Sequence, residues 1–216
     1  DYYTHTGYEV NEQHQVWYKT SAIVNRKLYA GNVSYFDKTP YEFYKDSIDN
    51  QLDVINYPPK NYPDRILVSP VGKFDILPAG KYLDIVRQDG QNIVKLISLG
   101  HHLMIFKHED VFVLDCSSEI EFLTDSFKGL GVSNPLHVCA TPNSIFWINS
   151  QGLFTYDGET AQRNLLQDKI NANEWAAKIF NVFTHINYDP AENNILIFTR
   201  YDDTEALVDN LVTLYH

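Results

Sequence analysis

The sequence predicts an all-β protein built from β-propeller-like blades, each a four-stranded antiparallel meander, with a short helical insertion and long loops. Three observations predict this class: a gapless internal repeat, short strand-like runs within each copy, and a strongly aromatic composition. The chain has 216 residues, including 15 Tyr, 12 Phe and 3 Trp, and aromatic residues favour strands and contact surfaces. Since 44% of the residues are hydrophobic and 21% are charged, a sizeable core is expected.

The repeat occupies the middle of the chain at an offset of 42 residues. The aligned segments are 94–98 with 136–140 and 103–115 with 145–157. Each longer segment is interpreted as a strand, a three-residue turn and a second strand, and each shorter one as the strand before them. The predicted fourth, edge-like strands are 120–123 and 161–165. Four antiparallel strands in about forty residues are typical of one propeller blade.

Looser copies of this pattern flank the repeat. Strands are predicted at 185–188, 195–198 and 211–214, after a short helix over 168–180 that Asp168 or Asn171 caps. Upstream, strands 27–33 and 65–69 are predicted to pair across an exposed, polar insertion, 36–63.

The predicted organisation is an N-terminal arm over 1–23 and a partial propeller over 24–216. About three and a half blades are fewer than the four to eight that close a propeller. Because the sequence also begins at Asp1 without a Met, we expect the chain to be part of a longer protein. A β-sandwich is the alternative all-β fold, although it does not require a gapless repeat.

The charge of the chain limits its partners. Its formal net charge is −11, which argues against nucleic acid or an anionic membrane surface as the main partner. No apolar run reaches the 18 residues of a candidate membrane-spanning helix. The two cysteines, Cys116 and Cys139, match no metal motif and are interpreted as buried free thiols.

No catalytic, cofactor-binding or metal-binding residues are predicted, and no cofactor is expected. The glycines of 129–134 lack the lysine and the helical pattern of a phosphate loop, so a tight turn between blades is favoured. A metal site combining His101 and His102 with residues 108–110 is rejected, because a five-residue strand of roughly 16 Å separates the two groups. The 28 acidic residues make carboxylate pairs uninformative about glycoside hydrolysis.

Aromatic residues outside the repeat are the candidate interface residues. Aromatic side chains among polar loop residues suit a protein interface, and decoration of a disordered segment is the alternative. The candidates are Tyr2, Tyr3, Tyr8, Trp17, Tyr18, Tyr41, Phe43, Tyr44, Tyr57 and Tyr62.

Several segments resemble the β-propeller part of tail nozzle, hub or muzzle proteins of short-tailed bacteriophages. They are Asn25-Arg26-Lys27-Leu28-Tyr29-Ala30-Gly31-Asn32-Val33, residues 64–75, Gly131-Val132-Ser133-Asn134-Pro135 and residues 145–158. The resemblance runs from about Val24 to Asp157, with weaker support beyond, and these motifs are structural signatures that carry over no active site. It implies a non-enzymatic structural component of the virion tail, assembled in the host cytoplasm.

The resemblance further implies a homo-oligomeric ring around the DNA exit channel, which contacts other tail proteins and lets DNA pass without specific binding, with no role for a membrane. A propeller that binds or cleaves a host surface glycan is the alternative function, although the S-x-D-x-G-x-T-W box of sialidase-type propellers is absent. A cellular interaction propeller is disfavoured because WD and kelch signatures are absent.

Overall fold

The computed structural model describes residues 16–35, 59–78, 80–86, 89–159, 163–167, 169–181, 183–200 and 209–215. These residues form a mostly β structure of several antiparallel sheets, which confirms the all-β class. The chain divides into two compact units, residues 1–96 and 97–216, and the division falls within a strand.

Sheet 1 lies in the first unit, and its strands are adjacent in chain order. They are β1 (Val16–Val24), β2 (Lys27–Tyr35), β3 (Lys60–Val68) and β4 (Tyr82–Asp84). Its core cluster comprises Ala30, Val33, Tyr35 and Leu67, with Val16, Tyr62 and Leu77 packed against it.

Sheets 2 and 3 repeat this order. Sheet 2 contains β5 (Ile93–Leu99), β6 (His102–Lys107), β7 (Val111–Asp115) and β8 (Phe122–Phe127). Sheet 3 contains β9 (Val138–Ala140), β10 (Ile145–Asn149), β11 (Gly152–Tyr156) and β12 (Arg163–Asn164). A 3₁₀ turn, Pro135–His137, precedes β9.

Sheet 4 follows a short helical segment. The helix α1 (Ala172–Glu174) continues into a π-helical turn, Trp175–Ile179, and the Asn171 side chain caps α1 by accepting from the Asn173 amide at 2.9 Å. The strands of sheet 4 are β13 (His185–Asp189), β14 (Asn194–Arg200) and β15 (Asp209–Tyr215). The helical segment and sheet 4 pack on sheet 3 through a core that includes Phe146, Trp175, Ile186 and Ile197.

The 42-residue repeat corresponds to one conserved hairpin register. Leu103 pairs with Leu114 in sheet 2, and Ile145 pairs with Tyr156 in sheet 3. In sheet 2 the predicted three residues, 108–110, separate β6 from β7, and the Lys107 amide donates to the Asp110 carbonyl at 2.9 Å. In sheet 3 the loop has two residues, Ser150-Gln151, rather than the predicted three, because Asn149 pairs with Gly152.

The predicted N-terminal arm, 1–23, overlaps β1, which begins at Val16 and pairs with β2 along its length. The turn between these strands is Asn25-Arg26, with φ of 45° and 61°. Two left-handed residues suit the twist of a tight hairpin, but the usual Asn-Gly signal is missing because Arg26 takes the second position. Residues 1–15 lie outside the described residues.

The predicted insertion, 36–63, extends too far at its C-terminal end, because residues 60–63 belong to β3, which begins at Lys60. Pro63 looked like a loop residue, but it lies at an irregularity of the β2–β3 ladder, between the pairs Gly31–Ile66 and Val33–Tyr62. A bulge tolerates proline because the ladder is interrupted there. Residues 36–58 lie outside the described residues.

The outer strands match their predicted positions only in part. Strand β8 spans Phe122–Phe127 rather than 120–123. Strand β12, Arg163–Asn164, lies within the predicted strand 161–165, of which 161–162 are outside the described residues. The first five residues of β8 are exposed, so this strand lacks the alternating burial that makes a strand recognisable in sequence.

Candidate functional site

The two described interface candidates in β1 are exposed at the edge of sheet 1. Trp17 and Tyr18 retain 49% and 47% of their accessible surface, and Ile23 on the same strand retains 54%. Consecutive strand residues point to opposite faces, so the edge presents large apolar side chains on both.

Tyr62, in contrast, belongs to the interior of sheet 1. It lies in β3 and stacks on Tyr35, with ring centroids 4.8 Å apart. The Arg65 guanidinium lies over the Tyr62 ring at 4.2 Å and over the Tyr82 ring at 3.8 Å. Tyr62 therefore supports the sheet, where the sequence suggested an exposed loop.

Arg65 completes this arrangement through charge-assisted hydrogen bonds. Its Nε and Nη2 donate to the two carboxylate oxygens of Asp84, at 2.8 and 3.0 Å, and its Nη1 donates to the Tyr35 hydroxyl at 2.6 Å. Its hydrogen bonds to the Asp84 carboxylate raise the pKa of Arg65 above its ordinary value. The guanidinium thus joins β3, β4 and β2 as a structural clamp.

The other interface candidates lie outside the described residues. They are Tyr2, Tyr3, Tyr8, Tyr41, Phe43, Tyr44 and Tyr57.

A second exposed apolar edge, which was not among the predicted interface residues, lies at β8 in sheet 2. Ile120, Phe122 and Leu123 retain 78%, 50% and 53% of their accessible surface. The sequence signal for it was weak, because a short apolar run in a predicted strand normally indicates burial.

His101, His102 and Asp115 form a cluster at the opposite end of sheet 2 from the loop at 108–110. One ligand atom from each side chain lies within 4.8 Å of the others, and His101 Nε2 is 3.9 Å from Asp115 Oδ2. The two imidazole rings are 4.1 Å apart, centroid to centroid. Imidazole nitrogens and a carboxylate are typical ligands of a transition-metal ion.

The backbone around this cluster explains how adjacent histidines come together with an aspartate. His102 is paired directly with Asp115 across β6 and β7, and the Cys116 amide donates to the His101 carbonyl at 2.9 Å. Gly100 has a φ of +57°, which the tight turn into β6 requires. The turn therefore places His101 beside His102 rather than on the opposite face.

The environment sets the charge states of the cluster. Burial, reinforced by the neighbouring His101, lowers the pKa of His102 below its usual range. Hydrogen bonds from Ser117 lower the pKa of the Asp115 carboxyl; the Ser117 amide donates to Asp115 Oδ1 at 2.7 Å. At neutral pH these conditions favour a neutral His102 imidazole and an ionised Asp115.

Sequence reasoning considered both histidines but paired them with the wrong segment. Residues 108–110 do lie beyond the far end of β6, as the strand length predicted. The available signal was the hairpin register itself, because a turn that joins residue 107 to residue 110 places residue 102 opposite residue 115.

The hairpin loops of sheets 2 and 3 border a cleft of about 330 Å³, lined by His108, Glu109, Ser133, Gln151 and Phe180 among others. Gly129 and Gly131 line one wall, and segment 129–132 starts in a turn at Gly129, which has a φ of +73°. Three of the segment's carbonyl oxygens accept hydrogen bonds from sheet 3 and its hairpin loop. Trp147 Nε1 donates to Leu130 (2.9 Å), Asn149 Nδ2 donates to Gly131 (3.2 Å), and Gln151 Nε2 donates to Gly129 (2.9 Å). These bonds make it a structural connector between the sheets.

Both cysteines are free and buried, as the sequence predicted. Burial raises the pKa of Cys139 to about 12. A thiol with so high a pKa holds almost no thiolate at neutral pH and is a poor nucleophile or metal ligand.

Among the described residues, no helix is long and apolar enough to cross a membrane. No protein-family model matches the chain, and a search of curated proteins also finds no match.

Proposed function

We propose that the protein is a structural component of a phage virion tail, whose propeller blades support a homo-oligomeric ring around the DNA exit channel. The observation that carries this proposal is the repeated four-stranded meander. Sheets 1, 2 and 3 each contain four strands adjacent in chain order, which is the topology of a propeller blade. The register retained at the 42-residue offset supports blades of one kind.

The resemblance to tail nozzle, hub and muzzle proteins connects this fold to a role in the virion. The segments that carry it lie in structural positions: residues 25–33 cover the β1–β2 turn and most of β2, and residues 145–158 cover the β10–β11 hairpin. They supply strand pairing and buried side chains rather than a catalytic group, which suits an assembly role.

The exposed edges supply surfaces for that assembly. Strand β1 presents Trp17 and Tyr18, and strand β8 presents Phe122 and Leu123. Large, solvent-exposed apolar side chains on an edge strand favour association with another chain. We propose further copies of this chain and other tail proteins as the partners.

The acidity of the chain suits passage of DNA. With a net charge of −11, an acidic channel wall would repel the phosphate backbone and let DNA pass without specific binding. This part of the proposal is checked by locating the acidic residues in the assembled ring; a basic lumen would contradict it.

The central test is assembly of the purified full chain, followed by light scattering and electron microscopy. We expect ring-shaped homo-oligomers, and we expect the double substitution Trp17→Ser with Tyr18→Ser to weaken them by about tenfold or more, because two large apolar contacts are removed. Phe74→Ser is the matched control: Phe74 is 44% exposed but lies between β3 and β4. A chain that stays monomeric at all concentrations, or equal weakening by the control, would contradict the proposal.

The glycan-directed alternative gives a different result in a separate assay. If the protein cleaves polysaccharide, incubation with host-type surface glycan will release reducing ends. The tail-component proposal predicts none, and it also predicts no retardation of duplex DNA in a gel at physiological salt.

A further inference from the structure

We propose that His101, His102 and Asp115 form a binding site for a transition-metal ion of the Zn²⁺ class. The inference rests on the position of three potential ligand atoms, one from each residue, all within 4.8 Å of one another. The site lies on sheet 2 beside the β8 edge, since Asp115 pairs with Phe122, but the inference does not depend on the proposed tail function.

The donor set selects the class of ion. Two imidazole nitrogens and one carboxylate suit Zn²⁺, Ni²⁺, Co²⁺ or Cu²⁺, whereas Mg²⁺ and Ca²⁺ favour oxygen ligands. Three protein ligands leave at least one coordination position of the ion open. Because His101 is exposed, water can reach that position.

The distances require only a small closure. Around a tetrahedral Zn²⁺ the ligand atoms are about 3.3 Å apart, as follows from metal–ligand distances of about 2.0–2.1 Å. His101 Nε2 and Asp115 Oδ2 are already 3.9 Å apart. His101 retains 55% of its side-chain surface, so rotation of this exposed ring can bring its nitrogen closer.

The surroundings hold two of the ligands in place. The β6–β7 pairing fixes His102 opposite Asp115. Ser117 occupies Asp115 Oδ1 through a 2.7 Å hydrogen bond from its amide, while Oδ2 is the oxygen that faces His101. A carboxylate oriented by a second hydrogen bond is a common feature of metal sites.

A bound ion would join the β5–β6 turn to the end of β7. His101 belongs to the turn, whereas Asp115 ends β7, so coordination would cross-link the two ends of the hairpin. The expected consequence is a rise in melting temperature on addition of Zn²⁺, because the folded state binds the ion more tightly than the unfolded chain does.

Isothermal titration calorimetry of the untagged, chelator-treated 216-residue chain tests this site with ZnCl₂, and MgCl₂ serves as the comparison ion. We expect the unmodified chain to bind one Zn²⁺ with moderate affinity. In His101→Ala and Asp115→Asn this binding should be lost or weakened by about tenfold or more, since even changes to residues outside the ligand set reduce metal affinity by about 10–100-fold. His108→Ala, at the other end of β6, is the matched control and should bind as the unmodified chain does.

Circular dichroism and melting curves establish that each variant remains folded. If His101→Ala unfolds, Asp115→Asn alone tests the site, because asparagine has nearly the same side-chain shape as aspartate. Cobalt(II) absorption provides an independent readout, because ligand-field bands report nitrogen and oxygen coordination directly. Absence of Zn²⁺ binding in the unmodified chain, unchanged binding in both cluster variants, an equal loss in His108→Ala, or equally tight binding of Mg²⁺ would each overturn the proposal.

Discussion

The backbone amide of Gly131 donates a hydrogen bond to the Glu109 carbonyl over 2.8 Å. This contact joins the connection after sheet 2 to the tip of the β6–β7 hairpin. The approach is so close that a Cβ at position 131 would lie 2.5 Å from the Lys107 carbonyl oxygen and 2.5 Å from the Glu109 carbonyl carbon. Glycine is required here for space rather than for an unusual φ.

Gly131→Ala is therefore expected to destabilise the protein by about 1–3 kcal/mol, the usual cost of forcing extra atoms into a packed site. Urea denaturation followed by tryptophan fluorescence measures this, since Trp147 contacts the same segment through Leu130. Gly80→Ala is the control, because no atom lies within 4 Å of a Cβ built there. Equal stability of the two variants would contradict the steric explanation.

Arg65→Lys is expected to reduce the free energy of unfolding by about 1.5–3 kcal/mol, the range for hydrogen bonds to charged groups. A lysine ammonium cannot make the two-pronged contact with Asp84 or stack as a plane between Tyr62 and Tyr82. Chemical denaturation followed by circular dichroism measures the loss. Arg26→Lys, an exposed arginine of the β1–β2 turn, should change stability little, and a similar loss there would count against the clamp.

Acidification is expected to destabilise the protein through His137. This histidine is fully buried, its ring packs edge-on against Phe180, and neither ring nitrogen has a well-formed hydrogen bond to the described residues. Burial lowers its pKa, and the Thr184 backbone offsets only part of this effect.

The sign follows from linkage. Because the pKa of His137 is lower in the folded state than the ordinary value of 6.5, the unfolded chain takes up the proton first. The contribution of a neutral His137 to the free energy of unfolding is fully present above about pH 6.5, and it decreases as the pH falls from there towards the lowered pKa. His102 acts in the same direction, so the comparison is with His137→Leu, whose stability should fall less between pH 7.5 and pH 5. His108→Gln, an exposed histidine, is the control, and identical pH profiles for the unmodified chain and His137→Leu would disprove this role.

The two thiols are expected to resist modification in the folded protein. Cys116 and Cys139 are buried, and the raised pKa of Cys139 leaves almost no reactive thiolate at neutral pH. A disulfide reagent should label both cysteines in urea and neither rapidly without it. Ser150→Cys, at an exposed hairpin tip, should add one fast-reacting thiol; rapid labelling of the unmodified chain would indicate that a buried cysteine is accessible.

The repeat made the central hairpins predictable from sequence. Residues 103–115 and 145–157 combine uninterrupted apolar runs with polar loops, and both strands of each hairpin are buried, so the pattern follows directly from packing. Strand β8 was misplaced because its exposed residues leave no periodic signal. Strand β1 was assigned to an arm because its turn, Asn25-Arg26, lacks the glycine that usually marks a hairpin.

The site residues were less predictable for a related reason. Trp17 and Tyr18 are exposed, as their polar sequence neighbours suggested. Tyr62 was assigned to a loop because Pro63 follows it, and only the bulge in β3 explains how proline fits the sheet. The His101, His102 and Asp115 cluster depends on strand register and on the backbone at Gly100. Neither is visible in residue types alone.

The connection after sheet 2 has a consequence for how this unit unfolds. Residues 129–132 bind the β6–β7 loop through Gly131 and Val132 and bind sheet 3 through Trp147, Asn149 and Gln151. The stabilising contacts of two neighbouring repeats are thus shared by one short stretch of chain. The sequence repeat by itself suggests two units that could unfold independently. Because they share this connection, sheets 2 and 3 should instead unfold together in a single cooperative step.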